Sequence, residues 1–166
     1  MNAPTSAAHL APEIAQRAVP EAFLEALKAR FGGNCSTALV VREQQGRDES
    51  AFTHVPPPAA VVFAENTQDV ADAVKLCAEH KVPVIPFGVG SSLEGHLLAV
   101  QGGISIDLMR MNKVLSINAE DLTVTVQPGA STDALSDYDW FLPLSSRMGI
   151  HYMPNNKVRV CHKTSN

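Results

Sequence analysis

The sequence is poor in cysteine. Only Cys35, Cys77 and Cys161 occur among 166 residues, and no two of them follow CxxC spacing. An odd count without that spacing argues against a disulfide framework and against a zinc site. Cys161 and His162 have suitable donor atoms, but no further residues stand at ligand spacing around them. We therefore predict no metal site and a reducing compartment.

Long apolar runs are also missing. No stretch approaches the roughly 18 apolar residues of a membrane span, so we expect none. The first residues contain neither the basic region nor the apolar region of a secretory signal peptide. We expect residues 1–18 to form a flexible leader and the protein to be cytoplasmic.

Excess positive charge is a third feature that the sequence lacks. The formal net charge is -4 and the aromatic share is 5%, which gives no basic patch for nucleic acid. We therefore expect no nucleic-acid partner. Hydrophobic residues make up 45% and charged residues 18%, as in soluble globular proteins. The length suits one domain or part of one.

Apolar periodicity predicts a helix, a βαβ unit and a hairpin. The segment PEAFLEALKARFGG, which starts at Pro20, has helical spacing and ends in two glycines. Residues 19–55 are therefore expected to hold a helix and a connecting segment. Ala59–Ala64 and Val82–Pro86 read as strands, and the amphipathic stretch between them as a helix capped by Asn66 or Thr67. Period-two alternation in VLSINAEDLTVTVQPG predicts a β-hairpin.

A glycine-rich loop follows the second of these strands. In VPVIPFGVGSSLEGH, Gly88, Gly90 and Gly95 lie close together, although glycine loses more backbone freedom on folding than any other residue. Backbone amides in such a turn form a concave site for an anion such as phosphate. The alternative is that the glycines only build a turn. The loop has no lysine, as a P-loop would, and Leu93 stands where a Rossmann fingerprint has its third glycine.

The segments PFGVGSSLEGH and GGISIDLMRMNKVLSINAEDLTVTVQPGA resemble the flavin-binding domain of FAD-linked oxidases and dehydrogenases. Among these enzymes, the two segments most resemble the vanillyl-alcohol oxidase (PCMH) type. Within that type they most resemble the branch of D-lactate dehydrogenase and glycolate oxidase. The resemblance covers Pro20 to Ala130. It implies an α+β fold with an N-terminal helix, a small βαβ subdomain of the PCMH-type FAD-binding fold, a β-hairpin and an irregular C-terminal tail. Residues 56–130 would be a partial FAD-binding domain and residues 131–166 a non-family tail.

The resemblance also implies a cofactor site for FAD. The loop amides would hold the pyrophosphate, and the V-x-P-G segment would line the flavin or ribityl region. Gly95 would allow close passage of the chain, and His96 either contacts the cofactor or is a turn histidine. The implied cofactor-binding residues are Pro86, Phe87, Gly88, Val89, Gly90, Ser91, Ser92, Gly95, His96, Pro128 and Gly129.

The implied reaction is hydride transfer from a small D-2-hydroxy acid to the flavin, with an electron acceptor that the sequence does not define. The resemblance stops at Ala130, before the family's substrate-binding region. We therefore expect a truncated and catalytically incomplete chain, and no catalytic residue is assigned. Two alternatives stay open: a non-catalytic nucleotide- or phosphate-binding fragment, and a partly folded fragment with uncovered sheet edges.

Four further features of the sequence concern single residues or one short segment outside the implied cofactor site. Arg110 and Lys113 could reach a phosphate or could be solvated surface residues. Asp107 is expected to cap or turn the chain. The segment Arg47–Ser50 resembles one upstream of the flavin domain, and we expect it to tie down the N-terminal helix.

Overall fold

The computed structural model describes residues 16–49, 55–118, 123–131, 148–153 and 157–162. The elements in chain order are α1 Glu21–Phe31, a 3₁₀ turn Gly32–Asn34, β1 Cys35–Ser36, α2 Leu39–Gln45, β2 Ala60–Phe63, α3 Thr67–His80, β3 Val84–Phe87, β4 Ile104–Asp107, β5 Val114–Asn118, β6 Thr123–Val126, β7 Met148–Met153 and β8 Lys157–His162. The predicted α+β class is confirmed.

Helix α1 is the predicted N-terminal helix. Phe23, Leu27 and Phe31 are buried along one face, which is the spacing that places side chains on one stripe of a helix. The helix ends at Gly32, whose φ of 51° suits glycine. The ring of Phe23 lies 5.4 Å from that of His80, so α1 packs on α3.

The first sheet has the strand order β1-β2-β4-β3. Strands β2 and β3 both pair with β4 in parallel, and β1 pairs with β2 antiparallel. The predicted βαβ unit is therefore present, with β4 between its two strands. All four residues of β4 are buried, as expected of a central parallel strand. Strand β3 is at the edge, where Pro86 is tolerated.

Helix α3 covers this sheet. Of the two predicted caps, Asn66 is the one used, because its side chain accepts a hydrogen bond from the Asp69 amide at 3.0 Å. Ala73 and Cys77 are buried against the sheet. Burial disfavours the thiolate and raises the pKa of Cys77 to about 11.

The second sheet contains the predicted hairpin. Strands β5 and β6 pair antiparallel with an irregularity between Val114 and Ser116. Val124 and Val126 are buried, whereas Leu115 on β5 is exposed. The predicted hairpin is confirmed, but the alternating apolar side chains are buried only on β6.

The C-terminal segment differs from the irregular tail that the sequence suggested. Strands β7 and β8 lie there, and the sheet has the order β5-β6-β8-β7. Strand β8 pairs with β6, with Val158 opposite Val124. The alternation in KVRVCH is a strand signal, but it is short, and pairing with β6 joins segments distant in sequence.

Most of the predicted leader, residues 1–18, lies outside the described residues. Its last part is attached to the body of the domain. The Gln16 side-chain amide donates to the carbonyls of Pro56 and Ala99, both at 2.6 Å. The Arg17 amide donates to the Gln101 carbonyl.

Candidate functional site: a cleft beside the glycine loop

A cleft of about 410 Å³ opens at the carboxyl ends of β3 and β4. Ligands of open α/β sheets bind at this end of parallel strands, and the volume is within the usual range for ligand sites. One wall is the start of the glycine loop and the other is the chain that leaves α2. The cleft is lined by Gln44, Gln45, Arg47, Asp48, Glu49, Phe87, Gly88, Val89, Gly90, Asp107 and Met109.

The amides of the glycine loop are available as donors. Among the hydrogen bonds of the described residues, none is donated by the backbone amides of residues 88–92. The loop instead accepts bonds at the carbonyls of Phe87 and Ser92. Residues 88–92 are exposed or half-buried, so consecutive amides without a protein acceptor beside a cleft are open to an external acceptor such as a phosphate.

The glycines of the loop occupy their positions for different structural reasons. Gly90 and Gly95 have φ values of 79° and 77°, a region that favours glycine. Gly88 has no positive φ, and a Cβ placed on it would meet nothing within 4 Å. The fold therefore does not require glycine at position 88, but a ligand that approaches the backbone closely would.

Ser92 and His96 form a pair inside the loop. The hydroxyl oxygen of Ser92 lies 3.0 Å from Nδ1 of His96, and the histidine is exposed. Its partner is therefore a side chain of the loop rather than the backbone, as a turn histidine would have. His96 is not among the residues that line the cleft.

Pro128 and Gly129 lie on the turn after β6. The Gly129 amide donates to the Met111 carbonyl at 2.8 Å. A Cβ at this position would collide with the backbone of Leu108 and Met109. Gly129 therefore allows the turn to pack against residues 108–111, and Met109 in that segment lines the cleft.

The second wall of the cleft contains residues that the sequence did not assign to the cofactor site. Gln45 is buried, and its amide nitrogen donates to the Asp107 carboxylate at 2.6 Å. The other Asp107 oxygen accepts from the Met109 amide at 2.8 Å, which is the turn role expected for Asp107. The Glu49 amide donates to the Ser92 carbonyl at 2.9 Å. Residues 47–49 thus lie along the cleft, where the sequence had suggested an attachment for the N-terminal helix.

Arg110 and Lys113 are not among the residues that line the cleft. The Arg110 guanidinium donates to Asn34 at 2.7 Å and to Glu65 at 3.2 Å, and it lies over the Phe63 ring. These contacts give Arg110 a structural role between the 3₁₀ turn Gly32–Asn34, the end of β2 and the chain after β4.

The charges around the cleft are mostly negative. Arg47 is the cation of the lining, whereas Asp48, Glu49 and Asp107 carry carboxylates. Side chains therefore supply little net attraction for an anion, and backbone amides must supply most of it. Aligned amides in a nest can do so because each carries a partial positive charge.

The described ranges show neither a metal cluster nor a membrane-spanning helix. No group of three or more His, Cys, Asp or Glu residues there could hold a metal ion. No described helix is both long and apolar enough to cross a membrane. The side chains of Cys161 and His162 lie outside the described part of the structure.

This fold and cleft define a class of flavin-binding domain, and comparison with known proteins agrees. A family model described as an FAD binding domain matches residues 58–143, which is just over half of the chain. The chain belongs to this FAD-binding domain family, and its cofactor is FAD. The match ends 13 residues beyond Ala130, where the resemblance in sequence had stopped.

The curated relatives indicate which FAD-linked enzymes the chain is similar to. The chain is 42% identical to a probable mitochondrial D-lactate dehydrogenase of Danio rerio over 103 residues, which cover 62% of the chain and 20% of the relative. It is 35% identical to the mitochondrial D-lactate dehydrogenase [cytochrome] of Arabidopsis thaliana over 136 residues, covering 79% and 24%. It is 40% identical to the glycolate oxidase subunit GlcD of Bacillus subtilis over 75 residues, covering 45% and 16%. The chain thus spans a quarter or less of the length of these relatives.

Solved structures show the same fold. Alkyldihydroxyacetonephosphate synthase superposes with a TM-score of 0.64 at 22% identity, covering 87% of this chain and 31% of that one. p-Cresol methylhydroxylase superposes with a TM-score of 0.62 at 24% identity, covering 81% and 27%. The predicted resemblance to PCMH-type flavoproteins is confirmed.

Proposed function

We propose that the backbone amides from Gly88 to Ser92, the part of the predicted segment 87–92 that lies beyond β3, bind the diphosphate of FAD in the cleft. The observation that carries this proposal is the set of unpaired amides at residues 88–92, beside a cleft at the carboxyl ends of parallel strands. The residues present fit such a group, since Gly88 leaves its side of the backbone open. Each amide donor aimed at a phosphate oxygen is a charge-assisted hydrogen bond, stronger than a neutral one.

The other predicted site residues have supporting roles in this proposal. Gly90 and Gly95 give the loop its turns, and the hydroxyls of Ser91 and Ser92 are additional donors. His96 acts through its contact with Ser92. Pro128 and Gly129 act through the segment 108–111, which Gly129 holds at the cleft. Pro86 is the penultimate residue of the edge strand β3, from which the loop departs.

The reaction is proposed for an enzyme that contains this domain. FAD, when bound, supplies a hydride acceptor, and the protein supplies binding and orientation. The names of the relatives favour a 2-hydroxy acid of the D-lactate or glycolate class as the hydride donor. The chain matches a fifth to a quarter of the two D-lactate dehydrogenases. We therefore propose that these residues provide the cofactor site and that substrate orientation depends on parts they do not match.

Gly88→Ala tests the proposed site, with Gly33→Ala as a matched control. A Cβ meets nothing within 4 Å at either position, and neither glycine has a positive φ, so both variants should fold. Only Gly88 lines the cleft. We expect Gly88→Ala to raise the Kd for FAD at least about tenfold, because a methyl group would separate the amides from the phosphate. Gly33→Ala should bind like the unaltered protein.

Flavin fluorescence quenching gives the Kd, and the melting temperature without FAD shows whether each variant is folded. Equal FAD affinity in the two variants would place the diphosphate elsewhere. In an enzyme that contains this domain, bleaching of the bound flavin by D-lactate or glycolate, compared with L-lactate, tests the substrate class separately.

A further inference from the structure

The glycine loop depends on few contacts for its shape. Val89 and Leu93 are 68% and 69% exposed, so their side chains add little packing. The amides of residues 88–92 make no bond to the described protein. Beyond the last residue of β3, the contacts of the loop are concentrated at Ser92, through its carbonyl to Glu49 and its hydroxyl to His96.

The partner of the Ser92 carbonyl belongs to a segment that is firmly anchored. We call residues 45–49 the strap. At its first residue, Gln45 donates to Asp107 at 2.6 Å and accepts from the Ser105 hydroxyl at 3.3 Å, and all three side chains are buried. Buried polar networks with every partner satisfied fix one arrangement of the chain.

The next residue of the strap is packed without spare room. A Cβ on Gly46 would lie 3.0 Å from Pro58 Cδ and 3.1 Å from the carbonyl oxygen of Arg42. Arg42 itself donates to the Pro58 carbonyl at 2.6 Å. The strap therefore leaves α2 in a direction set by β4 and by the prolines before β2.

We propose that the strap is a positioning element for the cofactor site, holding Ser92 through the Glu49 amide so that the loop amides face the cleft. This inference rests on the proposed function. The chain of contacts runs from Asp107 on β4 through Gln45 to Glu49 and then to Ser92. A loop fixed before binding loses less conformational entropy when the ligand binds, so the strap should act on affinity for the diphosphate.

Glu49→Pro removes the amide hydrogen that bonds to Ser92, and Glu49→Ala keeps it while removing the carboxylate. We expect Glu49→Pro to raise the Kd for FAD and for ADP about 3- to 10-fold beyond any effect of Glu49→Ala, the range for one hydrogen bond. Adenosine has no diphosphate, so the ratio of its affinities in the two variants should stay near one. A variant that merely destabilised the domain would weaken all three ligands and lower the melting temperature of the ligand-free protein.

If Glu49→Pro does not fold, hydrogen exchange on the unaltered protein gives the answer. The Glu49 amide should exchange slowly without ligand, because it is bonded to Ser92. Exchange at the rate of an unprotected peptide would overturn the strap, as would equal ADP affinity in the Pro and Ala variants. In both of those cases FAD binding by the unaltered protein would leave the proposed function intact. Absence of FAD and ADP binding by the unaltered protein would instead overturn the proposed function, and the strap with it.

Discussion

Single residues of the glycine loop show which structural roles of glycine a sequence can and cannot distinguish. The clustered glycines predicted either a site for an anion or only a turn, and the sequence does not say which glycine serves which purpose. Gly90 and Gly95 are explained by their positive φ values. Gly88 has no such explanation and lines the cleft. That distinction needs coordinates, because the three positions look alike in the sequence.

Arg47 is the residue whose charge we expect to matter most in the lining. It is the cation among the described residues that line the cleft, together with Asp48, Glu49 and Asp107. We predict that Arg47→Gln weakens FAD binding by about 1 kcal/mol or less, a few-fold in Kd, since the residue is exposed and screened. The affinity of the variant should also vary less with salt.

The control for Arg47→Gln is Lys75→Gln on α3, which removes the same charge from an exposed position away from the lining. Titrations at two salt concentrations measure both effects. An equal response of the two variants would show that only net charge matters.

Among the elements, those with a clear apolar period were predictable. Helices α1 and α3, strands β2 and β3 and the β5–β6 hairpin agree with the sequence predictions. Helix α2 was not predicted, because in LVVREQQ the apolar residues stand together instead of recurring at helical spacing. In the structure Leu39 and Val40 are 56% and 76% exposed while the polar Gln45 is buried. In the strap, the sequence singled out the segment from Arg47 onward but suggested a different role for it.

Helix α3 gives a prediction about pH through Cys77. Burial raises the pKa of this thiol from the ordinary 9.0 to about 11. A pKa that is higher in the folded state stabilises the fold below the unfolded pKa, and this stability is lost as pH rises through the folded value. We therefore expect the free energy of unfolding to fall between about pH 9 and pH 11.

Cys77→Ala should reduce that alkaline slope, although it will also lower stability at every pH by removing a buried group. Urea unfolding at several pH values between 8 and 11 measures it. The same slope with and without the thiol would show that Cys77 is not its source.

At the scale of the whole molecule, the order of the strands in the sheets could not be predicted from local sequence patterns. The sequence predicted β2, α3 and β3 as one unit, but the insertion of β4 between the two strands follows from contacts made later in the chain. The pairing of β8 with β6 is of the same kind. This strand order places the carboxyl ends of β3 and β4 next to each other. The cleft forms at that position, so it depends on the strand order.

The family, in contrast, could be recognised from the sequence alone. The PFGVGSSLEGH loop and the VTVQPG strand end both lie within the residues 58–143 that the FAD binding domain matches. Asp107 and Glu49 lie in segments that carry the resemblance and Gln45 does not, but the contacts among these three residues follow no sequence pattern. Their roles follow from distances, so the sequence identified the cofactor but not the elements that position its site.

The central claim is that the amides of residues 88–92 bind the FAD diphosphate, and residue-resolved hydrogen exchange tests it most directly. In the ligand-free protein these amides should exchange fast, since they donate to no described protein group. Saturating FAD or ADP should slow them at least tenfold, while adenosine should not. Unchanged exchange of all five amides with FAD demonstrably bound would contradict the account.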